Sequence, residues 1–219
     1  MQSKAEVLNR IKSTGVVAVI RAERPDDLID VSRALVQGGV CCVEITLTVP
    51  GAIRVIEKAS SALGDDVAIG VGTVLDAETA RAAILAGAGF VVSPAFRPAV
   101  VGVCRRYSIA CMPGAMTPTE ILAAWEAGAD VVKVFPAGVG GAQYFKDIKG
   151  PFPEIELMPT GAVTLETAPQ FIKAGACAVG VGGELAGKAV IAARDFERMS
   201  RTARAFIEAV RKARGIEGQ

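Results

Sequence analysis

The chain contains no histidine. That excludes a Ser-His-Asp or Cys-His nucleophile, a histidine general base and a histidine-ligated metal. Acid–base work must fall to Glu, Asp, Lys, Tyr or Cys. Net charge is nearly absent too, at +1 over 219 residues, so a nucleic-acid or membrane surface built on bulk charge is not expected. No apolar run reaches the 18 or so residues of a membrane span. The opening "MQSKAEVLNRIKSTG" is polar and helix-like, without a signal-peptide pattern. The five cysteines, Cys41, Cys42, Cys104, Cys111 and Cys177, are odd in number and fit no zinc spacing. They read as reduced core residues of a cytoplasmic protein. No cofactor and no metal site is expected.

What is present is apolar and ordered: 51% of residues are hydrophobic and 21% charged, which argues against disorder. One grammar recurs in "ALVQGGVCCVEI" (34–45), "AILAGAGFVVS" (83–93), "AAWEAGADVVKV" (123–134) and "QFIKAGACAVGV" (170–181). A helix ends, glycine closes it, and a β-branched or small-residue strand follows. Near-continuous apolar strands indicate burial on both faces, hence a parallel sheet. Strands are expected near 16–21, 41–47, 67–72, 90–93, 109–113, 130–135, 155–159 and 177–181. Helices are expected at about 25–38, 50–63, 76–87, 97–107, 117–127, 142–149 and 164–174, with a long amphipathic one over 194–213. Helix starts are signalled by "RPDDL" (24–28), "TPTE" (117–120) and "TLET" (164–167). No Pro/Gly/Ser-rich linker divides the chain. The pattern predicts one domain over residues 1–219, a (β/α)8 TIM barrel with an N-terminal helix. An open doubly wound sheet is the alternative.

Two strands carry misplaced charges. Lys133 interrupts 130–135, sharing a strand face with Val131 and Phe135. Aimed at the helix layer, its ammonium would lie in hydrocarbon at a cost of several kcal/mol. Aimed inward near the C-terminal mouth, it meets a ligand, and burial lowers its pKa and frees the amine as a nucleophile for a Schiff base. Glu44 interrupts "VCCVEITLTVP" (40–50) and shares a face with Cys42 and Thr46. A carboxyl in a dry pocket can shuttle protons for such an amine. The blander readings are a lysine that snorkels to the rim and a buried structural ion pair.

Other strand ends add candidates. Arg21 is either a carboxylate clamp or a rim ion pair. Thr73 follows two spaced glycines in "AIGVGTVL". Ser93 and Pro94 in "VVSPAF", and Pro113 in "CMPGAMTP", are either pocket residues or turn formers. "MPTGAVT" (158–164) and "VGVGGEL" (179–185) end the last strands in glycine turns, where barrels often cradle phosphate on backbone N–H groups. Thr160, Gly161, Ala162, Gly182 and Gly183 are the phosphate candidates; loop closure alone is the other reading. Glu184 is expected to point away from that end.

Together "VEITLTVPGA", "IGVGTVLD", "VVSPAF", "MPGAMTPTE", "VVKVFPA", "KGPFP" and "PTGAVT" resemble the bacterial 2-keto-3-deoxy-6-phosphogluconate (KDPG) aldolases, class I Schiff-base enzymes, from about residue 10 to 210 in register. The resemblance implies a homotrimeric barrel that cleaves KDPG to pyruvate and glyceraldehyde 3-phosphate. It implies Lys133 as the Schiff-base residue and Glu44 as general acid/base. It places Thr73 and Arg21 on the carboxylate, Pro94 and Phe135 along the pocket, and Gly161, Ala162, Gly182 and Gly183 at the phosphate. Some members carry arginine at Thr48, and often Gly-Gly and Gly-Ser where this chain has Gly161-Ala162 and Gly182-Gly183. The galactonate-series and 4-hydroxy-2-oxoglutarate aldolases share this core. Two rivals are a phosphosugar epimerase, disfavoured by the lack of histidine, and a non-catalytic barrel that binds an anionic sugar.

Overall fold

A computed structural model describes residues 2–21 and 27–216. The "RPDDL" helix start lies mostly outside the described residues. Helix α1 (Lys4–Thr14) opens on a capping box between Ser3 and Glu6. Strands β1 (Val16–Ile20), β2 (Cys42–Thr46), β3 (Ala68–Gly72), β4 (Phe90–Val92) and β5 (Ala110–Met112) alternate with α2 (Asp27–Gln37), α3 (Ala52–Leu63), α4 (Ala77–Leu85) and α5 (Pro98–Arg106). There follow β6 (Gly114–Ala115), α6 (Pro118–Glu126), β7 (Val132–Val134), α7 (Gly141–Lys149), β8 (Leu157–Pro159), α8 (Ala168–Lys173) and β9 (Val179–Val181). The chain closes on α9 (Gly183–Ala186), α10 (Lys188–Ala192) and α11 (Phe196–Ala213). The recurrent glycines behave as the repeat predicts: Gly39, Gly87, Gly128 and Gly175 all take left-handed φ values from 93° to 103° at helix ends.

Every strand pairing is parallel. The strands fall into a six-stranded sheet, β5-β4-β3-β2-β1-β9, and a three-stranded one, β6-β7-β8. The expectation of one continuous eight-stranded sheet is thus corrected to two curved pieces. The reason lies in the fifth strand. Pro113 has no N–H to give a ladder, and it splits the predicted 109–113 strand from Gly114 and Ala115. At one seam Asp130 N donates to Cys111 O (3.0 Å) and Lys133 N to Pro113 O (2.9 Å). At the other, Cys177 N donates to Leu157 O (2.9 Å), and Thr160 bridges Gly180 in parallel.

Period-two alternation sorts the strand residues into two cores. One face of the sheet packs against the helices. The other contributes Val17, Cys42, Ala68, Phe90, Ala110, Met158 and Ala178, with Val131 from the approach to β7, to a single cluster completed by Val7 and Ile11 of α1. One cluster fed by the strands of both pieces requires the sheet to curl around it, and α1 covers its N-terminal end. Interior packing is tight: an ideal Cβ on Gly70 would stand 2.2 Å from the fully buried Phe90 ring. The predicted "TPTE" box forms between Thr117 and Glu120. "TLET" instead makes a turn in which Thr164 N donates to Thr167 Oγ1 (2.9 Å), and α8 begins later than expected. Helix α11 buries Met199, Ala203, Phe206 and Val210 at helical spacing and packs against α2 and α8.

Gly70→Ala should lower stability by about 1–3 kcal/mol through overpacking, read as a shift in urea midpoint. Phe90→Leu in the same chain should recover part of the loss. A Gly70→Ala protein as stable as wild type would contradict this packing.

Candidate functional site

The interior changes character along its axis. Its N-terminal part is the apolar cluster. Glu44, Thr46, Ser93, Lys133 and Thr160, all at most 5% exposed, stand on strands or just beyond their C-terminal ends. Lys133 in β7 faces inward, as alternation with Val131 predicts, and its Nζ lies 5.1 Å from the centroid of the Phe135 ring. Burial pushes its amine below the usual lysine value, and the Arg21 guanidinium pushes the same way; Glu44 opposes them. The Glu44 carboxyl is driven up from its usual value, chiefly by burial, with Lys133 and Arg21 opposing. Its Oε2 has no hydrogen-bond partner among the described residues. An amine biased to neutral and a carboxyl biased to hold its proton therefore share one desolvated interior.

Arg21 stands exposed just past β1. Thr73 follows β3 with φ +63°, an outlying conformation for a β-branched residue, of the kind that clusters at functional sites. Pro94 follows β4, and its backbone crosses so near Gly114 that a Cβ there would meet Pro94 C at 2.3 Å. Gly114 is the register partner of Lys133, which brings Pro94 beside the amine's strand. Ser93 turns its hydroxyl onto Ala95 O (2.8 Å), and so serves the turn.

A cavity of about 550 Å³ opens between the ends of β7, β8, β9 and β1. It gathers Arg21, Phe135, Thr160, Gly161, Ala162, Gly182 and Gly183 from the predicted set. Lys133, Glu44, Thr73 and Pro94 are not on its walls. The Thr160 hydroxyl is buried and unpartnered among the described residues. Gly161 and Ala162 both take left-handed φ, +89° and +57°. Glu184, expected to point away, lines the cavity at its exposed rim, and Lys188 lines it too. A start of α9 at Gly183 puts Glu184 in the first turn of a four-residue helix, beside the cavity mouth. Sequence reasoning passed over Lys188, whose place depends on the fold of 182–188. It also missed the contact between the hydroxyls of Thr46, on the Glu44 face, and Thr48, in the turn beyond β2, which lie 2.7 Å apart.

The buried pair should cost stability. A carboxyl whose folded pKa is raised loses stability as pH climbs from the unfolded value, 4.5, through the folded one. An amine whose folded pKa is lowered loses stability as pH falls from 10.5 through the folded one. Neutral pH lies between, so both penalties act there. Glu44→Leu/Lys133→Met should be more stable than wild type by about 1–4 kcal/mol at neutral pH, measured by urea denaturation; a less stable double variant would show the charges to be structural.

The sequence model described as "Aldolase: KDPG and KHG aldolase" matches residues 7–202. The 2-dehydro-3-deoxy-phosphogluconate aldolase of Treponema pallidum is 37% identical over 76% of this chain and 78% of its own. The 2-dehydro-3-deoxy-6-phosphogalactonate aldolase of Escherichia coli is 35% identical over 90% of this chain and 95% of its own. The solved KDPG aldolase of Legionella pneumophila, captured with pyruvate as a covalent carbinolamine intermediate, superimposes with a TM-score of 0.85 at 25% identity, covering 91% of this chain and 97% of that one. A family match over residues 7–202, together with relatives of 35% and 37% identity, means that the chain belongs to the KDPG and KHG aldolase family and is a carbon–carbon lyase.

Proposed function

We propose that the chain cleaves a phosphorylated 2-keto-3-deoxy sugar acid, KDPG, to pyruvate and glyceraldehyde 3-phosphate through a Schiff base on Lys133. The observation that carries this is the inward-facing, desolvated Lys133 amine, lowered in pKa beside a Glu44 carboxyl raised in pKa. The neutral amine adds to the C2 carbonyl. Protonated Glu44 gives its proton to the carbinolamine hydroxyl, which leaves as water. The iminium then draws electrons from the C3–C4 bond while the Glu44 carboxylate takes the C4 hydroxyl proton. The aldehyde departs. Glu44 returns the proton to C3 of the enamine, and water releases pyruvate.

The substrate's length maps onto the interior. Arg21 and Thr73 hold the carboxylate, with Pro94 and Phe135 as walls. The unpartnered Thr160 hydroxyl meets a substrate hydroxyl between Lys133 and the cavity. The Gly161–Ala162 and Gly182–Gly183 backbone amides receive the phosphate, without the extra donor that a serine hydroxyl would add. A galactonate-series substrate is the second reading, favoured by the high coverage of the Escherichia coli relative. We further infer that both sheet pieces form one closed (β/α)8 barrel over residues 1–219. The seam hydrogen bonds and the shared interior cluster support closure. A homotrimer is supported by the family resemblance. A cytoplasmic setting is supported by five free cysteines; among the described residues no helix is long and apolar enough to cross a membrane.

Borohydride reduction in the presence of pyruvate should add a pyruvyl group to the peptide carrying Lys133, seen by mass spectrometry. Because burial lowers the amine's pKa, trapping should rise with pH and level off at a lower pH than for an ordinary lysine. Arg21→Leu should move the plateau upward, since it removes a like charge. No adduct, or one elsewhere, would end the Schiff-base reading. Thr160→Val should reduce kcat/KM about 10-fold or more for the preferred C4 epimer, by leaving a substrate hydroxyl unpaired, and much less for the other. Equal losses on both epimers would remove Thr160 from substrate recognition.

A further inference from the structure

Among the described residues Glu44 has no hydrogen bond that fixes its Oε2, yet proton transfer demands a fixed carboxyl. What holds it in place is visible in the neighbouring strand. In the β2–β3 register Glu44 is level with Gly70, and Thr46 with Gly72. The space over Gly70 is filled by the Phe90 ring, whose atoms stand 2.2–2.4 Å from where a Cβ would be. The Glu44 side chain therefore cannot lie across its own level. It runs one level toward the C-terminal mouth and rests on Gly72. An ideal Cβ on Gly72 would stand 1.8 Å from Glu44 Oε1, 2.4 Å from Cδ and 2.7 Å from Cγ. All three of the nearest atoms belong to Glu44. Gly72 does not take a left-handed φ, so an L residue could adopt its backbone. Its lack of a side chain serves the carboxyl alone.

We propose that Gly72 is a positioning residue for the aldolase reaction, its bare Cα forming the seat that sets the Glu44 carboxyl within reach of the Lys133 adduct, while Phe90 on Gly70 closes the level below. This rests on the Schiff-base reading above. The two glycines of "IGVG" thus have separate duties on one strand face, the first structural and the second functional. A methyl group at position 72 would push the carboxyl off its seat, and none of the three nearest atoms it would meet belongs to Lys133.

The test is Gly72→Ala in the full chain, with KDPG cleavage and exchange of pyruvate methyl protons into deuterated water as readouts. The proposal expects kcat and the exchange rate to fall about 100-fold, as loss of a positioned acid–base group does, with KM changed less than about threefold. Gly70→Ala should lower stability and leave kcat within about twofold. Glu44→Ala/Gly72→Ala should be no slower than Glu44→Ala, because the second change acts only through the first. Wild-type kcat and exchange in Gly72→Ala would overturn the proposal. Should Gly72→Ala fail to fold, Glu44→Ala must restore folding by vacating the contested space; a double variant that stays unfolded would show Gly72 to be a backbone requirement and overturn the proposal equally. Failure of the underlying reading shows separately, as absence of a pyruvate adduct on Lys133 in the wild-type protein.

Discussion

Desolvation of two ionisable groups in one interior is the constraint on which the rest depends. Water stabilises an ammonium and a carboxylate far better than strand backbones do. Buried on β7 and β2, each is biased toward its neutral form, while mutual attraction pulls both back toward charge. Burial is the larger influence on each. The balance favours a neutral amine and a protonated carboxyl at once, the combination that the proposed Schiff-base route requires. Arg21 acts on the two in opposite senses: its guanidinium disfavours a second cation at Lys133 and draws the Glu44 carboxyl back toward charge.

That environment has to be built from below. The cluster containing Phe90, Met112 and Met158 fills the N-terminal part of the interior, and Val7 and Ile11 of α1 cover its end. A wall of parallel strands with an apolar base leaves its C-terminal side for polar groups, where βα connections can vary without unpacking the base. The interior is also graded in size. Phe90 stands against Gly70, Glu44 against Gly72, and the Thr160 hydroxyl against Gly180, where a Cβ would come within 2.4 Å. Each of these three side chains has a neighbouring strand position with no side chain. At interior packing density, two large groups at such points would force the strands apart.

Lys133 and Glu44 were legible because a charge inside an apolar, period-two strand has few inexpensive explanations, and alternation assigns its face. The helix–glycine–strand repeat was legible because glycine's left-handed closure is local. What stayed hidden depends on partners far along the chain. The break at Pro113 matters only once β7 is known to pair beside it. The short helices α9 and α10 carry too few residues for a period; their position set Glu184 on the cavity rim against expectation, and Lys188, for which the sequence offered no reading, beside it. Gly70 and Gly72 were visible as alternating small residues, but their separate occupants, Phe90 and Glu44, lie twenty or more residues away and required the strand register.

The strained backbone positions follow from the same arrangement. Among the described residues, two of the non-glycine residues with positive φ, Thr73 and Ala162, stand immediately beyond β3 and two residues beyond the Thr160 bridge, at the mouth of the interior. A left-handed residue there bends the chain as it leaves the strand. Such a conformation costs on the order of 1 kcal/mol or more, and the two buried charges add to that cost. The rigid apolar base supplies the stability that tolerates both. The molecule is thus divided along its axis into a part selected for packing and a part that spends stability on chemistry, and the boundary falls between Gly70 and Gly72.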